Sequence, residues 1–530
     1  MNTQLGQLDY SQHNGTSIRM IFGHLIERYM PLIIIIIGIL IRLPLLFTPL
    51  TNGLSDNWRY TDTASIAHNF IHSETGQFNI LYPQINWGGN GPGYVETEFQ
   101  LYPFITAILY SIFGEQVWLG RLVSLVFTVL AFLVFDALVR RTWSSTVAAW
   151  ALFFFVVSPI SIRYSIGFMP EATVLFFYVA ALYLFLRWLD EQDSRLLFGA
   201  AVMVALAVLV KPTSINIGLI FLLLLLQRYG LAAMKQPRLW LFALVCLLPG
   251  ALWYWHARNL YLEYGNTFGI LSGGDSKLGN FSYWLNPRFY FNLAKLDLVW
   301  IFGWGGAPLF LIGLYSMWRN RQPLLPLFGA VTMLLYYMVV ARYAQMEWGI
   351  QYHVFFLPFA ALGVGIGVEW IISHVRKLSF RNSLALFGSA LLVICWLSIG
   401  VTISTTYRAL LRPVGANFLA CANAVASIVP SDARIIVSTT SLAFDNGVPN
   451  NYQEPQIFFY SNRYGWSLAS DQHTPALVEQ YRREGAWYFV IYEKQLLDDN
   501  PDLARYLESN ARQVGPGVQQ GCGIYSFNTN

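Results

Sequence analysis

The chain has 530 residues, 55% of them hydrophobic and only 12% charged, with a mean hydropathy of +0.45. That balance lies far from a soluble globular average and excludes a soluble enzyme carried on a single anchor. The formal net charge of +4 is small and forms no basic stripe, so nucleic acid is excluded as a partner.

About 28 polar and mixed residues precede the first apolar run, and no small-residue cleavage site follows it, so the N-terminus does not read as a cleavable signal. Run length predicts about eleven spans. They lie near residues 30–49, 116–139, 144–161, 170–187, 197–212, 213–227, 238–255, 297–317, 323–341, 351–372 and 384–403. The basic residues then set the direction. Arg140 and Arg141, Arg187 and Arg195, Arg228, Lys235 and Arg238, Arg319 and Arg321, and Arg376, Lys377 and Arg381 all fall in short loops on one side. An excess of Lys and Arg marks the cytoplasmic side. The expectation is a cytoplasmic N-terminal segment (residues 1–29), a transmembrane domain (30–404) and an extracytoplasmic tail (405–530).

The first outer loop runs over residues 51–115. Its apolar stretches Thr63–Ile71 and Phe99–Phe113 are too short to span and predict helices lying in the interface. The second outer loop covers about 256–299. In the tail, composition changes. Residues 433–438, 456–460, 487–492 and 523–527 read as strands, and 474–484 as a helix with a Thr N-cap and Pro at its first position. Together they predict a small α/β domain. Cys246 and Cys395 lie in apolar runs and read as packing residues. Cys421 and Cys522 bracket the tail domain; outside the cytoplasm they can pair as a disulfide, and two free thiols fit the sequence equally well.

Charged residues cluster at the outer boundary, where a charge is costly unless it faces a cavity. Asp56 opens Asp56-Asn-Trp-Arg59-Tyr60, placing Arg59 and Tyr60 at i+3 and i+4 on one helical face. Glu98 follows in Glu96-Thr-Glu98, Glu171 in Phe168-Met-Pro-Glu171, Lys211 in Leu209-Val-Lys211-Pro212, Arg258 in Trp253-Tyr-Trp-His-Ala-Arg258-Asn259, and Tyr352 and His353 open a late span. Each has a structural alternative: Asp56 as a helix N-cap, Lys211 and Arg258 snorkelling to headgroups, Glu171 favoured by a helix dipole, His353 as a core histidine. Arg42 and Arg121 read as helix-orienting or headgroup-binding residues.

In this order and on one side, these motifs resemble the GT-C superfamily of integral-membrane glycosyltransferases. The similarity is greatest to the protein-mannosyltransferase-like branch that includes aminoarabinose lipid A transferases and RgtA/B/C/D-like proteins. It covers about residues 30–400. Tyr264-Gly265-Asn266 departs from the family pattern, with Thr267 in place of Pro. The resemblance implies a mainly α, polytopic fold with interfacial helices in the first outer loop. It implies transfer of a sugar from a polyprenyl-phosphate donor to an acceptor hydroxyl at the outer face of the plasma membrane, with inversion and with Asp56 as general base. Arg258 and Lys211 are then the expected partners of the leaving phosphate. Arg59, Tyr60, Glu98, Glu171, Tyr352 and His353 are expected to line or orient the site. No metal-ligand spacing demands an ion, so a divalent metal stays open. Glycan, lipid and protein acceptors all fit, as do membrane lipids as neighbours. A flippase of lipid-linked glycans, and a ligase or polymerase using a lipid diphosphate-linked oligosaccharide, are the alternatives.

Overall fold

The structure, a computed structural model, describes residues 29–528 apart from 73–77, 272–276, 279–280, 322, 376–395, 413–415, 446 and 519–520. Its helical part comprises α1 (Tyr29–Phe47), α2 (Asn57–His72), α3 (Leu101–Phe113), α4 (Val117–Thr142), α5 (Ser145–Val157), α6 (Pro159–Ser165) and α7 (Glu171–Glu191). There follow α8 (Ser194–Val210), α9 (Pro212–Lys235), α10 (Pro237–Tyr264), α11 (Pro287–Ile301), α12 (Gly306–Asn320), α13 (Leu325–Val339) and α14 (Leu357–Val375). Among the described residues six helices are long and apolar enough to cross a membrane, or eight if each of two bent pairs is one span. The chain is therefore a multi-pass membrane protein.

Local chemistry explains where the predicted spans differ from the observed ones. The third expected span is the pair α5–α6, bent by 61°. Ser158 and Pro159 stand at the break; proline lacks the N–H that would continue the helical ladder. The eighth is the pair α11–α12, bent by 102°, where Gly303 and Trp304 take φ of +52° and +64°. Such backbone is foreign to a right-handed helix, so residues 297–317 are not one straight span. Helices α8 and α13, where the fifth and ninth spans were expected, are shorter apolar helices. The eleventh, 384–403, lies largely outside the described residues.

Glycine lets two helices touch. A Cβ built on Gly313 of α12 would stand 2.0 Å from the Gly363 carbonyl of α14, and one on Gly367 would stand 2.0 Å from the Leu309 carbonyl. Helices in lipid gain nothing from burying leucine against leucine, so small residues that allow close backbone approach supply the packing.

The segment between α1 and α4, residues 51–115, is folded. Strand β1 (Val95–Glu96) pairs in parallel with β2 (Asn266–Thr267), just after α10. Gly265, at φ +76°, ends α10 as a left-handed cap. The tail forms β3 (Arg434–Ser438), the hairpin β4 (Phe444–Asp445) and β5 (Val448–Pro449), then β6 (Tyr464–Leu468), β7 (Ala486–Ile491), β8 (Arg512–Gln513) and β9 (Gly523–Ser526). The main sheet has the order β6-β3-β7-β9-β8. Strand β3 runs parallel to β6 and β7, and β9 runs antiparallel to β7 and β8.

Three expected strands and the 475–483 helix are present, and the Thr474 hydroxyl accepts from the Leu477 N–H at 3.4 Å. Residues 456–460 are helical, not extended. Glu454 caps Pro455–Ser461 by accepting from the Gln456 N–H at 2.9 Å, and Pro455 occupies the first position, so capping overrides the apolar run. Cys421 and Cys522 are disulfide-bonded. Gly89 N–H donates to Gly465 O at 2.7 Å and Gly465 N–H to Asn86 O at 3.0 Å. The edge strand β6 is thereby covered by the segment between α1 and α4, which seats the sheet on that segment.

Candidate active site

A cavity of about 500 Å³ opens between the N-terminal end of α2, the loop before α3, the start of α7, the end of α8 and the tail. Asp56, Arg59, Glu98, Glu171, Lys211 and Tyr352 line it, so most of the expected site residues converge. Backbone breaks put them there. Glu171 opens α7 directly after Pro170, and Lys211 follows the last residue of α8 at φ −155°, ahead of Pro212. Proline's bias against helix in the preceding residue thus delivers the lysine to the cavity.

The charges are paired. Arg59 donates to Glu98 at 2.8 Å and its guanidinium lies 4.9 Å from the Phe268 ring centre. Lys211 donates to Glu171, with its ammonium 5.3 Å from the Tyr352 ring centre. Asp56 meets Arg163 of α6: Nε donates to Oδ2 at 2.7 Å, with the two side chains only 4% and 1% exposed. Tyr60 does not line the cavity but its hydroxyl donates to the same Oδ2 at 3.3 Å. Arg163 also donates to Ser55 at 3.0 Å and lies 4.7 Å from the Trp300 ring centre.

Arg163 escaped the sequence reading. Its signal was present: a lone arginine in Ser158-Pro-Ile-Ser-Ile-Arg163, just after a proline break between apolar runs. The bend at α5–α6 is held by Arg42, which donates to Val156 O at 2.7 Å, Ser161 Oγ at 3.0 Å and Ser165 Oγ at 2.6 Å. Arg121 donates to Ile166 O at 2.7 Å and Pro49 O at 2.8 Å. Both arginines therefore orient helices.

Besides Tyr60, two further expected residues do not line the cavity. Arg258 is exposed on α10 and is absent from the lining. His353 is buried, with Nδ1 2.6 Å from Asp297 Oδ1 and Nε2 2.8 Å from Ala344 O. Both of its ring nitrogens are thus spent on the protein. In exchange the tail contributes Ser441, Asn450, Asn451, Glu454 and Gln456 to the cavity wall. Nothing local in the sequence ties these residues to the segment between α1 and α4.

Burial works against the charge of Glu98, but the Arg59 guanidinium, a backbone N–H, the Lys211 ammonium and the Thr97 hydroxyl outweigh it and hold its carboxyl below the usual range. Among the described residues no cation offsets the burial of Glu454, which pushes its carboxyl up to about 7. Burial likewise pushes Asp62, one face further along α2, up to about 7, against the Trp87 indole N–H that donates to its Oδ1 at 2.9 Å. Its Oδ2 is buried without a partner among the described residues.

Asp56, Glu98 and Glu171 are each occupied by a cationic side chain, and His353 faces elsewhere, so the cavity's acids do not form a set of free metal ligands. Among the described residues the group that can hold a divalent ion is His68, His72 and Glu115, and none of these lines the cavity.

Residues 100–255 match the family described as dolichyl-phosphate-mannose-protein mannosyltransferase. No curated protein matches the chain in sequence. Among solved structures, the chain resembles ArnT from Cupriavidus metallidurans in the apo state, with 14% identity, 93% of this chain and 97% of that chain covered, and a TM-score of 0.62. The same protein bound to undecaprenyl phosphate gives 13% identity, 93% and 98% coverage, and 0.62. The Archaeoglobus fulgidus oligosaccharyltransferase, solved with zinc and sulfate, gives 16% identity, 90% and 71% coverage, and 0.56. The chain therefore shares the overall fold of these membrane-transferase structures.

Proposed function

We propose that the chain transfers a sugar from a polyprenyl-phosphate donor to an acceptor hydroxyl at the outer face of the membrane. The observation that carries this reading is the buried Asp56–Arg163 pair at the edge of a polar cavity lined by both carboxylates and cations. The likeness to a structure bound to undecaprenyl phosphate supports the donor class. The positive-inside pattern of the loops supports an inward N-terminus, an outward tail domain and about eleven spans in all.

The proposed reaction is one in-line displacement with inversion. Arg163 and Tyr60 both act on Oδ2 of Asp56, which leaves Oδ1 to meet the acceptor hydroxyl. Asp56 takes the hydroxyl proton as the oxygen attacks the anomeric carbon. The bond from that carbon to the phosphate oxygen breaks, and polyprenyl phosphate leaves with the electron pair. Positive charge must stand where this phosphate charge develops. Lys211 and Arg59 supply it, since both line the cavity. Arg163 balances the Asp56 charge and fixes the carboxylate plane, a positioning role. The tail residues Asn450, Asn451 and Gln456 offer amides suited to acceptor hydroxyls. This makes the C-terminal domain the acceptor wall of the site.

The test is transfer of label from a panel of polyprenyl-phosphate sugars to a membrane-extract acceptor pool by purified protein in lipid, wild type against Asp56→Asn. Transfer lost in the mutant supports the reading and identifies the sugar. Use of a lipid diphosphate-linked oligosaccharide instead moves the donor to the ligase class. Retained transfer by folded Asp56→Asn removes the base assignment.

A further inference from the structure

We propose that His68, His72 and Glu115 form a divalent transition-metal site that clamps the first outer loop, separate from the reaction cavity. His68 and His72 stand at i and i+4 on α2, so both imidazoles project from one face; their ring centres are 4.5 Å apart. Glu115 reaches them from the loop between α3 and α4. Gly114 ends α3 at φ +81°, a conformation open chiefly to glycine, and turns the chain so that the next carboxylate faces α2.

The distances suit an ion. His68 Nδ1 lies 2.9 Å from Glu115 Oε1 and His72 Nε2 lies 3.5 Å from Glu115 Oε2, and one ligand atom from each residue falls within 4.8 Å of the others. Two ligands each about 2.0–2.1 Å from a tetrahedral zinc ion keep roughly 3.3 Å between them. Two imidazoles and one carboxylate are the donors of a borderline ion such as Zn²⁺ or Co²⁺ rather than Mg²⁺ or Ca²⁺. Water completes the coordination, because His72 and Glu115 are 54% and 33% exposed.

The site stands at the end of α2 opposite Asp56. Twelve residues at a helical rise of 1.5 Å put it about 18 Å away, and it lines no part of the cavity. An ion here does not touch reacting atoms. It ties the C-terminal end of α2 to the start of α4, and so fixes the helix whose other end carries Asp56.

The test uses the full chain with a non-histidine tag, in lipid nanodiscs, stripped with chelator and then titrated with Co²⁺ or Zn²⁺. Metal per chain is read by elemental mass spectrometry and coordination by Co²⁺ visible absorption. The wild type should take up one equivalent, gain thermal stability on binding, and show tetrahedral Co²⁺ bands. His72→Ala, at the most exposed ligand, and Glu115→Gln should each weaken binding by about tenfold or more while unfolding like metal-free wild type. Equal uptake in wild type and both variants, or no uptake by folded wild type at micromolar metal, overturns the site and leaves a hydrogen-bonded His–Glu cluster.

Discussion

Removing the Arg163 guanidinium isolates the Asp56 carboxylate. Nε stands 2.7 Å from Oδ2, and the side chains are 1% and 4% exposed, so little solvent screens the pair. Two unit charges about 4 Å apart attract by about 4 kcal/mol at the effective dielectric that suits protein sites. Breaking one side of a buried pair costs about 3–5 kcal/mol. At about 1.4 kcal/mol per tenfold, Arg163→Gln should shift the unfolding equilibrium by roughly a thousandfold and lower transfer by at least a hundredfold. Asp56→Asn should abolish transfer. The double variant is the informative one. With both charges gone, stability should return most of the way toward wild type while transfer stays absent. Thermal unfolding in nanodiscs and label transfer, run on all four proteins, complete the cycle. Destabilisations that simply add would show the two residues are not coupled; normal transfer by Arg163→Gln would remove the positioning role.

Lys211→Gln should raise the KM for the lipid-phosphate donor, whereas Arg258→Gln, on an exposed residue outside the cavity, should leave donor kinetics unchanged; the reverse result would restore Arg258 as the phosphate partner. Burial raises the Asp62 carboxyl from 3.8 to about 7. The fold therefore holds that proton longer than the unfolded chain does, and this stabilisation is complete below about pH 4 and lost as pH rises through about 7. Thermal unfolding followed from pH 4.5 to 8 should show stability falling in wild type and falling less in Asp62→Asn, with identical slopes as the contrary outcome. The Cys421–Cys522 bond closes a separation of 101 residues. A loop of that length contributes about 4–5 kcal/mol in the chain-entropy account, so Cys421→Ser or a reductant should expose the tail domain to limited proteolysis, and unchanged resistance would count against its structural weight.

The sequence by itself determined the membrane class, most of the apolar helices and several of the charged residues that line the cavity. Run length and charge placement are local properties, and a carboxylate in an apolar boundary is legible because lipid makes it costly. Asp56, Glu98, Glu171 and Lys211 were found on that ground, and the capped helix at 475–483 on the chemistry of its first residues. The tertiary structure decided what each charge faces. Arg163 lies 107 positions from Asp56 and reaches it only because Pro159 breaks the helix and Arg42 holds the bend. Arg258 and His353 carry the same chemical signal as the cavity residues, yet one faces out and the other is spent on Asp297 and Ala344, because which face of a helix meets a cavity depends on its neighbours. Glu454 and the tail amides enter the wall through the pairing of Gly89 and Gly465, a contact between distant segments that no local pattern announces. Spacing along a chain fixes which residues share a face; packing alone fixes what that face meets.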